Sequence, residues 1–350
     1  MFPHNVLANE PDEIPLQEWL KKEGIPNCPP IRVKCNFGAH ETKAHARRLK
    51  NDVARAQCVL FEAFGYGEAN LQIIALLQSG TVRPQQVAAG KPDDAFLQEI
   101  LRMVQGRGKF LHPFDARGDH PNYAKHASAS NAISGVLQKL QTKPVPELGA
   151  ILTEFTKAVG VMDESDRFRE DMAVRSFRGI LKQALKAHPD FLKRKEINVL
   201  IVFGGLHEPL IGRLTKKHPD ITVDSSIAGP ELAHSYVAKL HQALWTREAV
   251  DETLNQRAFF EYLVSGIFNK VIQKLRTNEG DEAATFYARA VVDALSLEEW
   301  ADFYRNCIQS GDATKIKDLA ELVKSRGVPV EDDAKRLQQW YRRVSKPPGK

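Results

Sequence analysis

The chain contains no apolar stretch of about 18 residues, the length that a helix needs to cross a membrane, so no membrane span is predicted. Its first residues have neither the basic start nor the apolar core of a secretory signal. The four cysteines form no C-x-x-C pair, which leaves a zinc ribbon or a thioredoxin-type motif unsupported. Together these features predict a protein of the cytoplasm.

Glycine-rich motifs that bind phosphate are also missing. The sequence has neither the G-x-x-x-x-G-K-[ST] pattern of a P-loop nor the G-x-G-x-x-G pattern of a dinucleotide site. It also lacks G-x-S-x-G, the nucleophile elbow of many serine hydrolases. Any chemistry of this chain must therefore be sought in other residue patterns.

The charge of the chain is nearly balanced, since 49 basic residues stand against 44 acidic ones and the net charge is +5. An excess this small for 350 residues argues against a dedicated nucleic-acid-binding protein. Trp340 and Tyr341 lie among basic residues near the end of the chain, which leaves nucleic-acid stacking as a weaker alternative. The basic residues of this segment are Arg336, Arg342, Arg343, Lys346 and Lys350.

Short apolar runs alternate with segments of helical periodicity in the first two thirds of the chain. Strands are predicted over residues 31–37, 58–64, 109–115, 197–203 and 221–224. This alternation indicates an α/β fold with a mainly parallel sheet flanked by helices. Pro113 would place the third strand at an edge of the sheet, because proline cannot donate a ladder hydrogen bond.

The domain organisation is predicted from composition and periodicity. Residues 1–30 are proline-rich and acidic and are expected to form a loose lead-in with one short helix over 16–20. Residues 31–228 are expected to form the α/β domain, with a helical insertion at about 116–190. Beyond Gly229-Pro230 every segment has helical period, so 229–350 is predicted to be an all-helical C-terminal region.

Two segments repeat the order strand, glycine, histidine, glutamate, helix. The run from Val199 ends at Gly204-Gly-Leu-His207-Glu208, and the run from Ile31 ends at Gly38-Ala-His40-Glu41. Open α/β sheets bind their ligands at the carboxyl ends of their strands. The sequence therefore predicts that the two imidazoles meet at one edge of the sheet. A single histidine after a glycine turn is more often a surface or capping residue.

Three further charged residues are candidates for the same site. Glu62 lies within an apolar run, where a carboxylate is costly unless it is paired. The second strand is expected beside the first, which would bring Glu62 near His40. Arg169 falls on the apolar stripe of a helix over 167–187 and needs an anionic partner, although a snorkelling arginine would fit the same pattern. Asp115 ends the third strand, where it adds a carboxylate or forms a simple turn.

Two imidazoles and one or two carboxylates at strand ends permit two kinds of chemistry. His40, Glu62 and His207 could hold a divalent metal ion that acidifies bound water. A histidine could instead act as the general base without a metal, with Glu62 or Glu41 orienting the water. Arg169 would then hold an anionic group or stabilise developing negative charge, and Asp115 and Glu208 would contact the substrate. The sequence leaves the two mechanisms open.

These motifs resemble those of the TraB/PrgY family and, more broadly, of the erythromycin-esterase-like and ChaN-like proteins. The matching residues are Gly38-Ala-His40-Glu41, Glu62, Arg169-Glu-Asp-Met172-Ala173 and Gly204-Gly-Leu-His207. The resemblance covers about 31–215, and it departs from the family at Phe37, where glycine is expected, and in the spacing between Arg169 and Met172. It implies an α/β sheet with the histidines and glutamates at one edge, and a hydrolase acting on a peptide or ester.

A binding or interaction protein on the same scaffold is the alternative to a hydrolase. ChaN-like members bind haem, so the resemblance implies haem as one ligand class for this chain. The predicted helices beyond residue 228 make up about a third of the chain, and helical appendages often dock protein partners. The substrate, small molecule or peptide, is not specified by the sequence.

Overall fold

The computed structural model describes residues 14–37, 43–83, 95–129, 131–204, 207, 209–227 and 235–344. Within these ranges the chain divides into two compact units. The first, here called the α/β unit, comprises residues up to 124 together with 166–228. The second, called the helical unit, comprises 125–165 together with 229–350.

The α/β unit is built on a sheet that has five strands in the described part of the chain, all in parallel pairs and in the order β3-β2-β4-β1-β5. The strands are β1 (Ile31–Phe37), β2 (Cys58–Phe61), β3 (Phe110–Pro113), β4 (Ile197–Phe203) and β5 (Thr222–Ile227). The α/β class predicted from the sequence is therefore confirmed. β3 lies at an edge, as the proline at its end predicts.

The order of the strands corrects one expectation. β2 does not lie beside β1, because β4 is inserted between them and pairs with both. The end of β2 is consequently placed next to the end of β4 rather than next to the end of β1. Glu62 follows β2 directly and still donates its backbone N–H to the carbonyl of Val202 in β4, at 2.9 Å. This neighbour relationship determines which groups meet at the carboxyl edge.

Helices cover both faces of the sheet in the α/β unit. In chain order these are α1 (Leu16–Lys22), α2 (Lys43–Arg48), α3 (Lys50–Arg55), α4 (Glu68–Gln78) and α5 (Ala95–Val104), then the later part of α8 (Leu148–Ala187), and α9 (Leu210–Lys217). Side chains alternate along β4, so that Ile201 and Phe203 enter one apolar core while Leu200 and Val202 enter the other. The segment predicted as a loose lead-in contains α1, whose apolar residues belong to the first of these cores.

Helix α8 (Leu148–Ala187) is 40 residues long and is shared between the units, the division falling between Ser165 and Asp166. The sequence predicts its second half only, over 167–187. From Ala173 to Leu185 its apolar residues pack into the core beneath the sheet. Arg178, which helical periodicity places away from that core, is buried and donates to the carbonyl of Ile14.

The helical unit has an apolar core of its own, and the predicted helical character of the C-terminal region is confirmed. Its helices are α6 (Tyr123–Ala129, shared with the α/β unit), α7 (Ala132–Lys139), the early part of α8, α10 (Tyr236–Thr246), α11 (Glu252–Ile267), α12 (Asn269–Glu279), α13 (Asp281–Asp293), α14 (Leu297–Phe303), α15 (Lys315–Ser325) and α16 (Ala334–Val344). A capping box formed by Ser296 and Glu299 opens α14. No helix in the described ranges is long and apolar enough to cross a membrane.

Candidate functional site

The site is centred on Glu62, at the carboxyl edge of the sheet. One carboxylate oxygen, Oε2, accepts the backbone N–H of Gly204 at 2.5 Å, and the other, Oε1, accepts from Arg169. A Cβ atom on residue 204 would lie 3.0 Å from Oε2. Glycine at the end of β4 therefore permits the close approach that fixes the Glu62 carboxylate.

Arg169, on α8, joins three carboxylates. Its guanidinium donates to Asp115 through Nε at 3.1 Å and Nη2 at 2.7 Å, a bidentate pair. Nη2 also donates to Glu62, and Nη1 lies 3.4 Å from Oδ1 of Asp166. The guanidinium stacks over the ring of Phe64, 4.9 Å from its centroid. The buried stripe of the helix thus holds an ion-paired arginine rather than a snorkelling one.

The pKa of Arg169 follows from these contacts. Burial lowers this pKa, but the charges of Glu62 and Asp115 outweigh burial, so the net pKa is raised above the ordinary arginine value. The guanidinium therefore stays charged and provides a fixed positive charge among the carboxylates. Asp115 is itself buried, and its Oδ1 also accepts the N–H of Ala116 at 2.7 Å.

His207 lies between β4 and α9, with its ring buried against Phe203 in an edge-on contact of 4.9 Å between centroids. Its Nδ1 is 3.1 Å from Oε1 of Glu170. Its Nε2 is 3.7 Å from Oε1 of Glu62 and 3.7 Å from Oδ1 of Asp166. Burial lowers the pKa of His207, but the hydrogen bond with Glu170 and the charge of Glu62 raise it, and the net pKa lies above the ordinary value.

Behind the histidine, Glu170 is fully buried and lies 3.3 Å from Nε of Arg213 on α9. Arg213 also contacts Asp171 and donates to the carbonyl of Arg167 at 3.3 Å. Burial raises the pKa of Glu170, and its contacts with His207 and Arg213 oppose that increase. Among the described residues, the connected cluster thus brings together four buried or half-buried carboxylates, two guanidinium groups and one imidazole.

The structure brings together four of the residues selected from the sequence: Glu62, Asp115, Arg169 and His207. Three others, His40, Glu41 and Glu208, lie outside the described residues. The meeting of two imidazoles predicted from the repeated histidine motif therefore stays a prediction.

Sequence reasoning missed Asp166, Glu170 and Arg213. The spacing of Asp166, Arg169 and Glu170 was an available signal, because positions three and four apart share one face of a helix. That face continues into the buried Ala173 and Phe177. Charged residues at the start of an apolar stripe therefore marked the site.

The predicted metal ligands fit this geometry only in part. Among the described residues no group of three or more His, Cys, Asp or Glu side chains is arranged to hold a metal ion. Two of the predicted ligands, His207 and Glu62, do place Nε2 and Oε1 3.7 Å apart. One ion with bonds of about 2 Å could bridge that distance. Arg169 donates to the same Oε1, so a cationic group of the chain already contacts this oxygen.

Comparison with models of protein families, with curated proteins and with solved structures finds no match to this chain. The family resemblance therefore depends on the quoted sequence motifs alone.

Proposed function

We propose that the α/β unit is a hydrolase of peptide or ester bonds, in which His207 moves a proton between water and substrate. The observation that supports it most is the position of Nε2, which faces Glu62 and Asp166 at 3.7 Å each, at the carboxyl edge of a parallel sheet. The opposite ring nitrogen is occupied by Glu170. A histidine with one nitrogen held and the other directed at carboxylates is the arrangement of a general base or acid.

Glu62 has the role of orienting the attacking water. Two polar atoms 3.7 Å apart can both hydrogen-bond to one water at about 2.8 Å. The second carboxylate oxygen of Glu62 is fixed by Gly204, so the first has a defined direction. Held in this way, the water would meet the substrate in one orientation, which lowers the entropic part of the barrier.

Arg169 and Asp115 have a supporting role in this mechanism. The bidentate pair fixes the guanidinium, and the guanidinium in turn holds Glu62. A preorganised positive charge next to Glu62 would also stabilise negative charge that develops on the substrate. A divalent ion, if the protein binds one, would be held by His207 and Glu62 and would supply acidified water.

The test uses the purified full-length protein with p-nitrophenyl acetate and fluorescent casein as probes, and metal content is measured by mass spectrometry. His207→Ala and Glu62→Gln are expected to reduce hydrolysis by about 10²-fold or more. The matched control is His188→Ala, because His188 precedes β4 at the opposite edge of the sheet. Wild-type protein that hydrolyses neither probe, or a His207→Ala variant at the wild-type rate, would contradict the proposal. Loss of metal in both variants would favour the metal-dependent mechanism.

A further inference from the structure

Glu170 is a buried carboxylate that the hydrolysis itself does not require. Its side chain has no exposed surface. Burying an ionised carboxylate costs several kcal/mol in a protein unless ionic or hydrogen-bonding partners compensate. Its two partners are His207, through Oε1 at 3.1 Å, and Arg213, through Oε2 at 3.3 Å. A residue that is kept at such a cost, in contact with the central histidine, requires a specific explanation.

The contact determines which nitrogen of His207 carries the hydrogen. In its ionised form Glu170 can only accept, and the 3.1 Å contact then places a hydrogen on Nδ1. In a neutral imidazole the other nitrogen, Nε2, then has the lone pair. At 3.7 Å from Glu62 and Asp166, Nε2 is beyond hydrogen-bonding distance of both carboxylates. It therefore faces them across a gap rather than being bound by either.

Three elements hold the ring in this orientation. Glu170 comes from α8, Arg213 comes from α9, and Phe203 at the end of β4 packs edge-on against the imidazole. The backbone N–H of His207 also donates to the carbonyl of Gly204 at 3.1 Å. Rotation of the ring would break the Glu170 contact and leave that carboxylate with Arg213 alone.

We propose that Glu170 is the positioning residue of His207: it accepts the Nδ1 hydrogen and thereby directs the lone pair of Nε2 toward Glu62 and Asp166. Arg213 supports this role by binding the second oxygen of Glu170. The effect on turnover rests on the proposed hydrolase function, whereas the effect on the ring does not. A positioning role also accounts for the burial of an acidic residue, Glu170, directly after Arg169 on the helix.

Nuclear magnetic resonance of the full-length protein labelled with ¹⁵N-histidine tests the effect on the ring. Long-range proton–nitrogen correlations distinguish the two neutral forms of an imidazole at a pH above its pKa, and His207→Gln identifies the signal. We expect hydrogen on Nδ1 in the wild type, and in Glu170→Ala a shift toward hydrogen on Nε2. The matched control is Glu164→Ala, since Glu164 is exposed on the same helix.

Either of two results would overturn the proposal: a wild-type ring with its hydrogen on Nε2, or a Glu170→Ala ring that keeps the wild-type form. If Glu170→Ala does not fold, the wild-type spectrum alone decides. In kinetic assays Glu170→Ala is expected to lower kcat on the order of 10²-fold with little change in KM, because a misdirected base misses the near-attack geometry. Wild-type protein without hydrolytic activity would contradict the proposed function and leave the spectroscopic result to decide the role of Glu170.

Discussion

The two units both bury acidic side chains, but they compensate the buried charge differently. In the α/β unit, Glu62, Asp115 and Asp166 contact the guanidinium of Arg169, and Glu170 lies between His207 and Arg213. In the helical unit, Glu261 on α11 is buried with neutral donors, the hydroxyl of Ser235 at 2.9 Å and the N–H of Val237 at 3.0 Å. Its second oxygen accepts no hydrogen bond from the described residues, and neither does Oε2 of Glu170, which has only the ion pair with Arg213.

The difference affects the pKa values of the buried acids in the two units, and through them the charge of these acids at neutral pH. Burial raises the pKa of Asp115 and the charge and hydrogen bonds of Arg169 lower it, and the net pKa lies above the ordinary value. Burial raises the pKa of Glu261 to about 7, and hydrogen bonds from Val237 and Ser235 oppose that increase only in part. The α/β unit therefore places a fixed cation among its buried acids, whereas the hydrogen bonds to Glu261 come from neutral donors and its pKa of about 7 leaves it partly neutral at neutral pH. Three substitutions examine this contrast.

The largest effect is expected from Arg169→Met, which removes the cation and leaves its carboxylates buried without it. Breaking a buried ion pair on one side costs about 3–5 kcal/mol in the free energy of unfolding. Chemical denaturation, monitored through hydrogen exchange of the backbone amides of β2 and β4, measures that loss in the α/β unit. The matched control is Arg175→Met, because Arg175 is exposed on the same helix. Equal stability of the two variants would show that the Arg169 cluster does not stabilise the unit.

A smaller effect with a defined pH dependence is expected at Glu261. Its pKa is raised from 4.5 to about 7 in the folded chain, so the protonated form is favoured by folding. The resulting stability is fully present below about pH 4.5 and is lost as the pH rises through 7. Glu261→Gln should remove this loss and be more stable than wild type at pH 8, by at most about 3 kcal/mol.

Hydrogen exchange of α10 and α11 between pH 4.5 and 8 measures this effect in the helical unit. The control is Glu252→Gln, an exposed position on the same helix as Glu261. If wild type and Glu261→Gln change in parallel over this range, Glu261 is ionised throughout and the contrast between the units disappears.

The smallest effect is expected at Gly204. In Gly204→Ala the new Cβ would approach Oε2 of Glu62 to 3.0 Å, so the carboxylate must move and weaken its bond to the backbone. We expect a loss of about 1–2 kcal/mol, part of the roughly 1.5–3 kcal/mol that a hydrogen bond to a charged group contributes, because the bond is weakened rather than removed. Gly212→Ala on α9 is the control, since its Cβ would meet no atom within 4 Å. A thermal denaturation series in which both variants match the wild type would argue against a fixed Glu62.

Much of the fold follows from local patterns, while the arrangement of the strands does not. The ranges predicted for β1 and β4 match the structure, because apolar residues recur at every second position of β1 and fill all but one position of β4. β2 ends at Phe61 rather than at residue 64. The prediction was too long because Ala63 and Phe64 continue the apolar pattern beyond the last residue of the strand. The insertion of β4 between β1 and β2 depends on long-range packing, so adjacency along the chain gave the wrong neighbour.

The site was predicted in part for similar reasons. Glu62 and His207 have unusual sequence surroundings, an apolar run and a pair of glycines, that mark them individually. Asp166 and Glu170 lie on a helix rich in charges, where an acidic residue is usually solvated. Helical spacing places them on one face with Arg169, but their contacts with His207 depend on the packing of α8 against the sheet. Their role therefore appears only in three dimensions.

The interleaving of the two units along the chain has a consequence for synthesis. Residues 125–165 belong to the helical unit, but the segment that completes this unit, 229–344, leaves the ribosome only after the last part of the α/β unit. The ring of Phe155, for example, can pack against that of Phe259 only after Phe259 has been synthesised. The two ring centroids lie 5.5 Å apart in the folded chain. With translation at about 5–20 residues per second, an apolar helix remains exposed for seconds. The α/β unit is thus the first that can close, while residues 148–165 still lack the later helices of their core.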